Sequence, residues 1–138
     1  MNNGAFNLFL HNIKASGHHD IVRYFRGNSD EILPYLRRDY FDLVFIDGNH
    51  SYKNVKRDIE NAMLITRIGG IVCGDDLEMQ KPELEQSIDL DKIRITEDDT
   101  PKEYMTINAH LGVTMAVWDI FQKEVINHNG FWEVRRKE

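Results

Sequence analysis

Phe41-Asp42-Leu43-Val44-Phe45-Ile46-Asp47-Gly48-Asn49-His50, followed downstream by Gly69-Gly70-Ile71-Val72-Cys73-Gly74-Asp75-Asp76, decides the fold of this chain. Residues 43–46 and 71–73 are continuous apolar runs, rich in β-branched and aromatic side chains, which predicts core strands of a sheet covered on both faces. Between them Tyr52, Val55, Ile59, Ala62 and Met63 recur at helical spacing. They predict an amphipathic helix over 51–67, stopped by Gly69-Gly70. Strand, helix and strand in that order predict a parallel βαβ unit with a right-handed crossover, and hence the α/β class. Ligands of such sheets bind beyond the carboxyl ends of the strands, where Asp47 and the pair Asp75-Asp76 would meet.

Working outward, Phe6, Phe9, Leu10 and Ile13 mark one face of a helix over 6–15 that ends at Ser16-Gly17. Residues 21–25 predict a short strand closed by Gly27-Asn28-Ser29, with Ser29 capping a short helix through Ile32 and Leu36 that Pro34 makes irregular. After a strand over 70–74, residues 77–108 are acidic and rich in turn formers. They predict an insertion or lid on the active-site side, with a short strand at 92–96. Val113, Ala116, Val117, Ile120 and Phe121 predict a helix over 112–124, and residues 131–135 a final strand. There is no internal repeat, and 138 residues make one domain.

Composition narrows the function classes. No apolar run approaches the roughly eighteen residues of a membrane helix, and the amino terminus lacks the layout of a secretory signal. The one cysteine, Cys73, falls within an apolar strand, so a cytoplasmic protein with an inert core thiol is expected. A formal charge of −6 argues against phosphate-backbone binding as the main task, and no nucleic-acid or membrane partner is expected. His18-His19 reads as a solvated turn, Asp98-Asp99 as a charged loop, and Trp118 and Trp132 as core or pocket aromatics.

Asp47, Asp75 and Asp76 have two readings. Three convergent carboxylates suit Mg²⁺, which takes hard oxygen ligands and can orient and acidify a substrate hydroxyl. Aspartate is also common at strand ends as a turn and capping residue. His50 is similarly a candidate general base near neutral pH or a cap for the helix beginning at Ser51.

At these residues the chain resembles class I S-adenosylmethionine-dependent methyltransferases, in particular the small-molecule group with the pattern F-D-x-V-F-I-D-G-x-H-S-Y. The pattern stands here as Phe41 to Tyr52, with Asp58-Ile59 in the following helix and Gly69-Gly70 to Asp76 at its end. Gly27-Asn28-Ser29 resembles the family's G-D-S turn, which meets the adenine. His110-Leu111-Gly112-Val113-Thr114-Met115-Ala116-Val117 resembles its H-P-G-V-T-x-A-V helix opening, with Leu111 in place of proline.

The resemblance implies a partial Rossmann-like, mostly parallel sheet with flanking helices, taken from a strand order 3-2-1-4-5-7-6. It implies S-adenosylmethionine bound at Gly27, Asn28, Ser29, Asp47 and Gly48, and Mg²⁺ on Asp47, Asp75 and Asp76. The expected reaction is O-methyl transfer to a small-molecule acceptor, with His50 where metal-dependent relatives carry a catalytic lysine. The Gly-rich turn after the family's first strand, and the acidic residue after its second, have no counterpart here. The expectation is therefore a domain truncated at its amino terminus, whose strand 21–25 docks directly beside strand 43–46. Pairing of two chains along that edge, or a separate chain completing the sheet, are the other outcomes. Two further functions stay open: an inactive remnant or interaction module of the same fold, and a hydroxylase-like relative.

Overall fold

Residues 66–77 organise the molecule as the long strand β2 (Thr66–Leu77), flanked by β1 (Phe41–Ile46) and β4 (Gly130–Arg135), with β3 (Ile126–His128) outside β4. The computed structural model describes residues 4–87 and 109–138. The helices are α1 (Gly4–Ser16), α2 (Ser29–Ile32) with a 3₁₀ turn at Leu33–Tyr35, α3 (Tyr52–Ile65), α4 (Lys81–Ser87) and α5 (Leu111–Phe121), the last followed by a 3₁₀ turn at Gln122–Glu124. The expected strand at 92–96 and most of the expected lid lie outside the described residues.

The α/β class holds, and the sheet order β1-β2-β4-β3 is the 4-5-7-6 part of the order implied by the resemblance. The sheet is mixed, not mostly parallel. β1 and β2 run parallel across the α3 crossover, whereas β2–β4 and β3–β4 are antiparallel. The cause is the tight hairpin at 128–130. Asn129 takes a positive φ, and Asn127 Oδ1 accepts the Gly130 N–H at 3.0 Å, so the chain reverses before its final strand.

One face of the sheet carries the core. Val44, Ile46, Val72, Trp132 and Val134 pack beneath Val55, Ile59 and Ala62 of α3 and Val113, Ala116, Val117 and Phe121 of α5. Each fully buried aliphatic side chain contributes on the order of 1.5–3 kcal/mol. The opposite face is open: Leu43 is 55% and Phe45 49% exposed, with Ile126 and Phe131 beside them and the Phe45 and Phe131 rings stacked at 6.2 Å. Among the described residues the expected cover on both faces is thus present on one, because α3 and α5 lie on the same side.

Three other expectations are corrected. The segment 21–25 forms no strand and β1 has β2 as its sole strand neighbour among the described residues, so the proposed docking of 21–25 beside β1 does not occur. Tyr24 instead lies edge-on to Phe6 and Phe9 of α1 at 5.7 Å, while Ile21 and Phe25 are exposed. Asn28, not Ser29, caps α2, accepting the Asp30 N–H at 3.3 Å. Gly69-Gly70 does not end α3. The helix stops at Thr66, whose N–H and hydroxyl both donate to the Ala62 carbonyl, and β2 begins there. The two glycines sit inside β2 where its register on β1 shifts, Gly69 with φ +75° and Gly70 against the Asp42 carbonyl.

Candidate functional site

The carboxyl ends of β1 and β2 and the start of α5 converge on one cluster. β2 leaves its register with β4 between Gly74 and Leu77, and Asp76 there adopts φ +66°. A left-handed non-glycine residue costs about 1–3 kcal/mol and persists where its surroundings hold it. Here the Trp132 indole N–H donates to the Asp75 carbonyl at 3.2 Å, anchoring the irregular stretch from below. The result is that Asp75 and Asp76 serve different places. Asp75 is exposed; its Oδ1 accepts the Asp76 N–H at 3.0 Å and lies over Gly130. Asp76 Oδ2 lies 2.8 Å from His50 Nε2, and its Oδ1 3.6 Å from His110 Nδ1.

His50 and His110 meet because α3 and α5 touch at their amino ends. A Cβ on Gly112 would lie 2.1 Å from the His50 carbonyl oxygen and 2.6 Å from the Tyr52 nitrogen, so the approach requires glycine. Ser51 is the N-cap of α3, so the expected capping alternative for His50 falls away; its ring is free to face Asp76. The two imidazoles stand edge to face with centroids 4.5 Å apart. Glu78 holds His110 twice, accepting its backbone N–H at 3.0 Å and meeting Nδ1 at 2.7 Å. Thr114, fully buried, donates from Oγ1 to the Met79 carbonyl at 2.9 Å and ties α5 to the same loop.

Beside this cluster, at the carboxyl end of β1, lies a cleft of about 490 Å³ between β1, α2 and α3. Asn28, Ser29, Asp47 and Gly48 line it, while Gly27 is absent from its wall and packs near the Ile32 side chain. Asn54 and Asp58 project into the same wall from α3. Asp58 is 8% exposed, and its Oδ1 has no hydrogen-bond partner among the described residues. Burial pushes the Asp58 carboxyl above its ordinary range, a rise that the Ser29 hydroxyl partly opposes.

The sign of that shift gives a stability prediction. The folded state holds the Asp58 proton more tightly than the unfolded chain, so stability from this group is full below the ordinary value of 3.8 and is lost as pH rises through the folded value. Asp58→Asn cannot ionise. In urea unfolding it is expected to be more stable than the parent at pH 7, with the gap closing near pH 3. A variant less stable at pH 7 would show instead that the ionised carboxylate is held by a partner.

Three of the expected site residues are thus placed apart. Asp47 lines the cleft, Asp75 faces the β4 side, and Asp76 faces the histidines, so the three carboxylates form no metal-sized group. Their arrangement does not fit the Mg²⁺ site implied by the resemblance. Among the described residues, the group whose ligand atoms lie within 4.8 Å of one another is His50, Asp76 and His110. His110 enters the sequence reading only as the first residue of a helix-opening motif and Glu78 not at all, so neither is expected there as a site residue. The signal was present: a histidine opening the helix that returns to the carboxyl end of the sheet, and an acid two residues beyond Asp76.

No helix among the described residues is long and apolar enough to cross a membrane. No curated protein matches the chain. A family model described as a methyltransferase domain matches residues 4–77, which run from α1 through α2, β1 and α3 to the end of β2. With that match over more than half of the chain, and with the sheet order in agreement, the chain belongs to the methyltransferase domain family.

Proposed function

We propose that the chain is an S-adenosylmethionine-dependent methyltransferase acting on an oxygen of a small molecule. The observation that carries this reading is the His50–Asp76 pair, 2.8 Å apart, at the end of β1 and β2 next to a cleft of small-ligand size. Asn28, Ser29, Asp47 and Gly48 would hold the cofactor. When bound, the cofactor supplies an electrophilic methyl group on a sulfonium sulfur.

The chain's own residues account for the other half of the reaction. With His50 Nε2 donating to Asp76, Nδ1 is the ring's proton acceptor, and the carboxylate stabilises the imidazolium that forms. His110 abuts the His50 ring and limits its rotation. The step is proton removal from an acceptor hydroxyl at Nδ1, leaving an oxygen nucleophile aligned for in-line attack. No part of this requires the three-carboxylate metal site.

The direct test is calorimetric titration of the purified chain with S-adenosylhomocysteine. Micromolar binding that weakens at least about tenfold in Asp47→Ala is expected. A cooperatively folded chain that binds nothing would favour the second reading, an interaction module of the same fold. The open sheet face of Leu43, Phe45, Ile126 and Phe131 is the observation behind that alternative.

A further inference from the structure

We infer that His50, Asp76 and His110 form a binding site for a borderline first-row divalent ion such as Zn²⁺, in place of a Mg²⁺ site built from carboxylates alone. Donor type makes the first argument. Two imidazoles and one carboxylate suit Zn²⁺ and its first-row neighbours, whereas Mg²⁺ selects oxygen ligands and keeps most of its water. Geometry makes the second. Ligands at about 2.0–2.1 Å from a tetrahedral ion lie roughly 3.3 Å apart, and the Asp76 oxygens stand 2.8 Å from His50 Nε2 and 3.6 Å from His110 Nδ1. Small rotations of half-exposed side chains bring both separations to that value.

The surroundings support a built site. Three backbone features converge on it: the positive φ of Asp76, the Gly112 contact with the His50 carbonyl, and the Glu78 grip on the His110 N–H. Glu78 Oε1, 2.7 Å from the same His110 nitrogen, is placed to serve as a fourth ligand once the ion takes the proton's place on Nδ1. A bound ion and the His50–Asp76 hydrogen bond exclude one another, since both use His50 Nε2. The inference does not depend on methyl transfer, and its test needs no cofactor.

The experiment is calorimetric titration of the full chain with Zn²⁺, repeated in millimolar Mg²⁺, together with the visible spectrum of the Co²⁺-loaded protein. One Zn²⁺ per chain at micromolar or tighter Kd is expected, unchanged by Mg²⁺, with Co²⁺ d–d bands that report nitrogen donors. His110→Gln and His50→Gln should each weaken binding at least about tenfold, and Asp47→Asn and Asp75→Asn should not. Far-UV circular dichroism and melting verify that each variant is folded; both imidazoles are partly exposed, so glutamine at either position leaves the core intact. Absent Zn²⁺ binding, displacement by Mg²⁺, or loss confined to Asp47→Asn and Asp75→Asn would each overturn the site.

Discussion

His50→Gln is expected to lower kcat for methyl transfer by about 10²- to 10⁴-fold, the usual contribution of a positioned general base, while KM for the acceptor changes little. Glutamine keeps the shape of the imidazole and can still donate to Asp76, but it has no nitrogen that accepts a proton at neutral pH. Asp76→Asn should give a smaller loss with the same pattern, because the imidazolium then forms without a carboxylate 2.8 Å away. The split between kcat and KM, read beside the melting temperature, separates catalysis from packing. Neither side chain belongs to the core, so the melting temperatures should stay close to the parent's. Unaltered turnover in His50→Gln would mean that the ring serves structure or metal binding alone.

The largest stability effect is expected at Gly112. A Cβ there meets the His50 carbonyl oxygen at 2.1 Å, the Tyr52 nitrogen at 2.6 Å and the Ser51 carbonyl carbon at 3.0 Å, all backbone atoms that no rotamer change can clear. Gly112→Ala must therefore push the start of α5 away from the start of α3. The cost is expected at about 3 kcal/mol or more, the upper part of the range for overpacked cores, or a fall in melting temperature of about 10 °C for a domain of this size. Function falls with it, since separating the helices separates His110 from His50. Gly17→Ala is the contrasting case. Gly17 has φ +76° and no atom within 4 Å of the added methyl, so only the left-handed backbone penalty of about 1–2 kcal/mol applies. Equal melting temperatures for the two variants would refute close packing as the reason for glycine at 112.

The parts of the molecule legible in the sequence are those set by local pattern. The helices α1, α3 and α5 announced themselves through apolar spacing, and β1 and the second half of β2 through uninterrupted apolar runs. Boundaries were less legible where a tertiary contact outweighs local preference. Gly69-Gly70 looks like a helix stop, but the helix yields earlier, and residues 66–70 are held as strand by contacts from the other end of the chain. Arg136 exchanges backbone hydrogen bonds with Gly69 and Gly70 and donates its guanidinium to the Thr66 carbonyl. The segment 21–25 has strand-like composition, yet Tyr24 finds its ring partners in α1.

For the candidate site, sequence alone determined which end of the sheet gathers the carboxylates, because strands that end in Asp47 and Asp75-Asp76 place them there in any βαβ unit. It also determined the family, through the spacing of those residues around one helix. Tertiary structure alone decided which side chains meet. A register shift of β2 and a positive φ at Asp76 send neighbouring aspartates to different places, and a glycine contact between two helices brings His110 to His50. Both are consequences of packing between segments far apart in the chain, and no local periodicity encodes them.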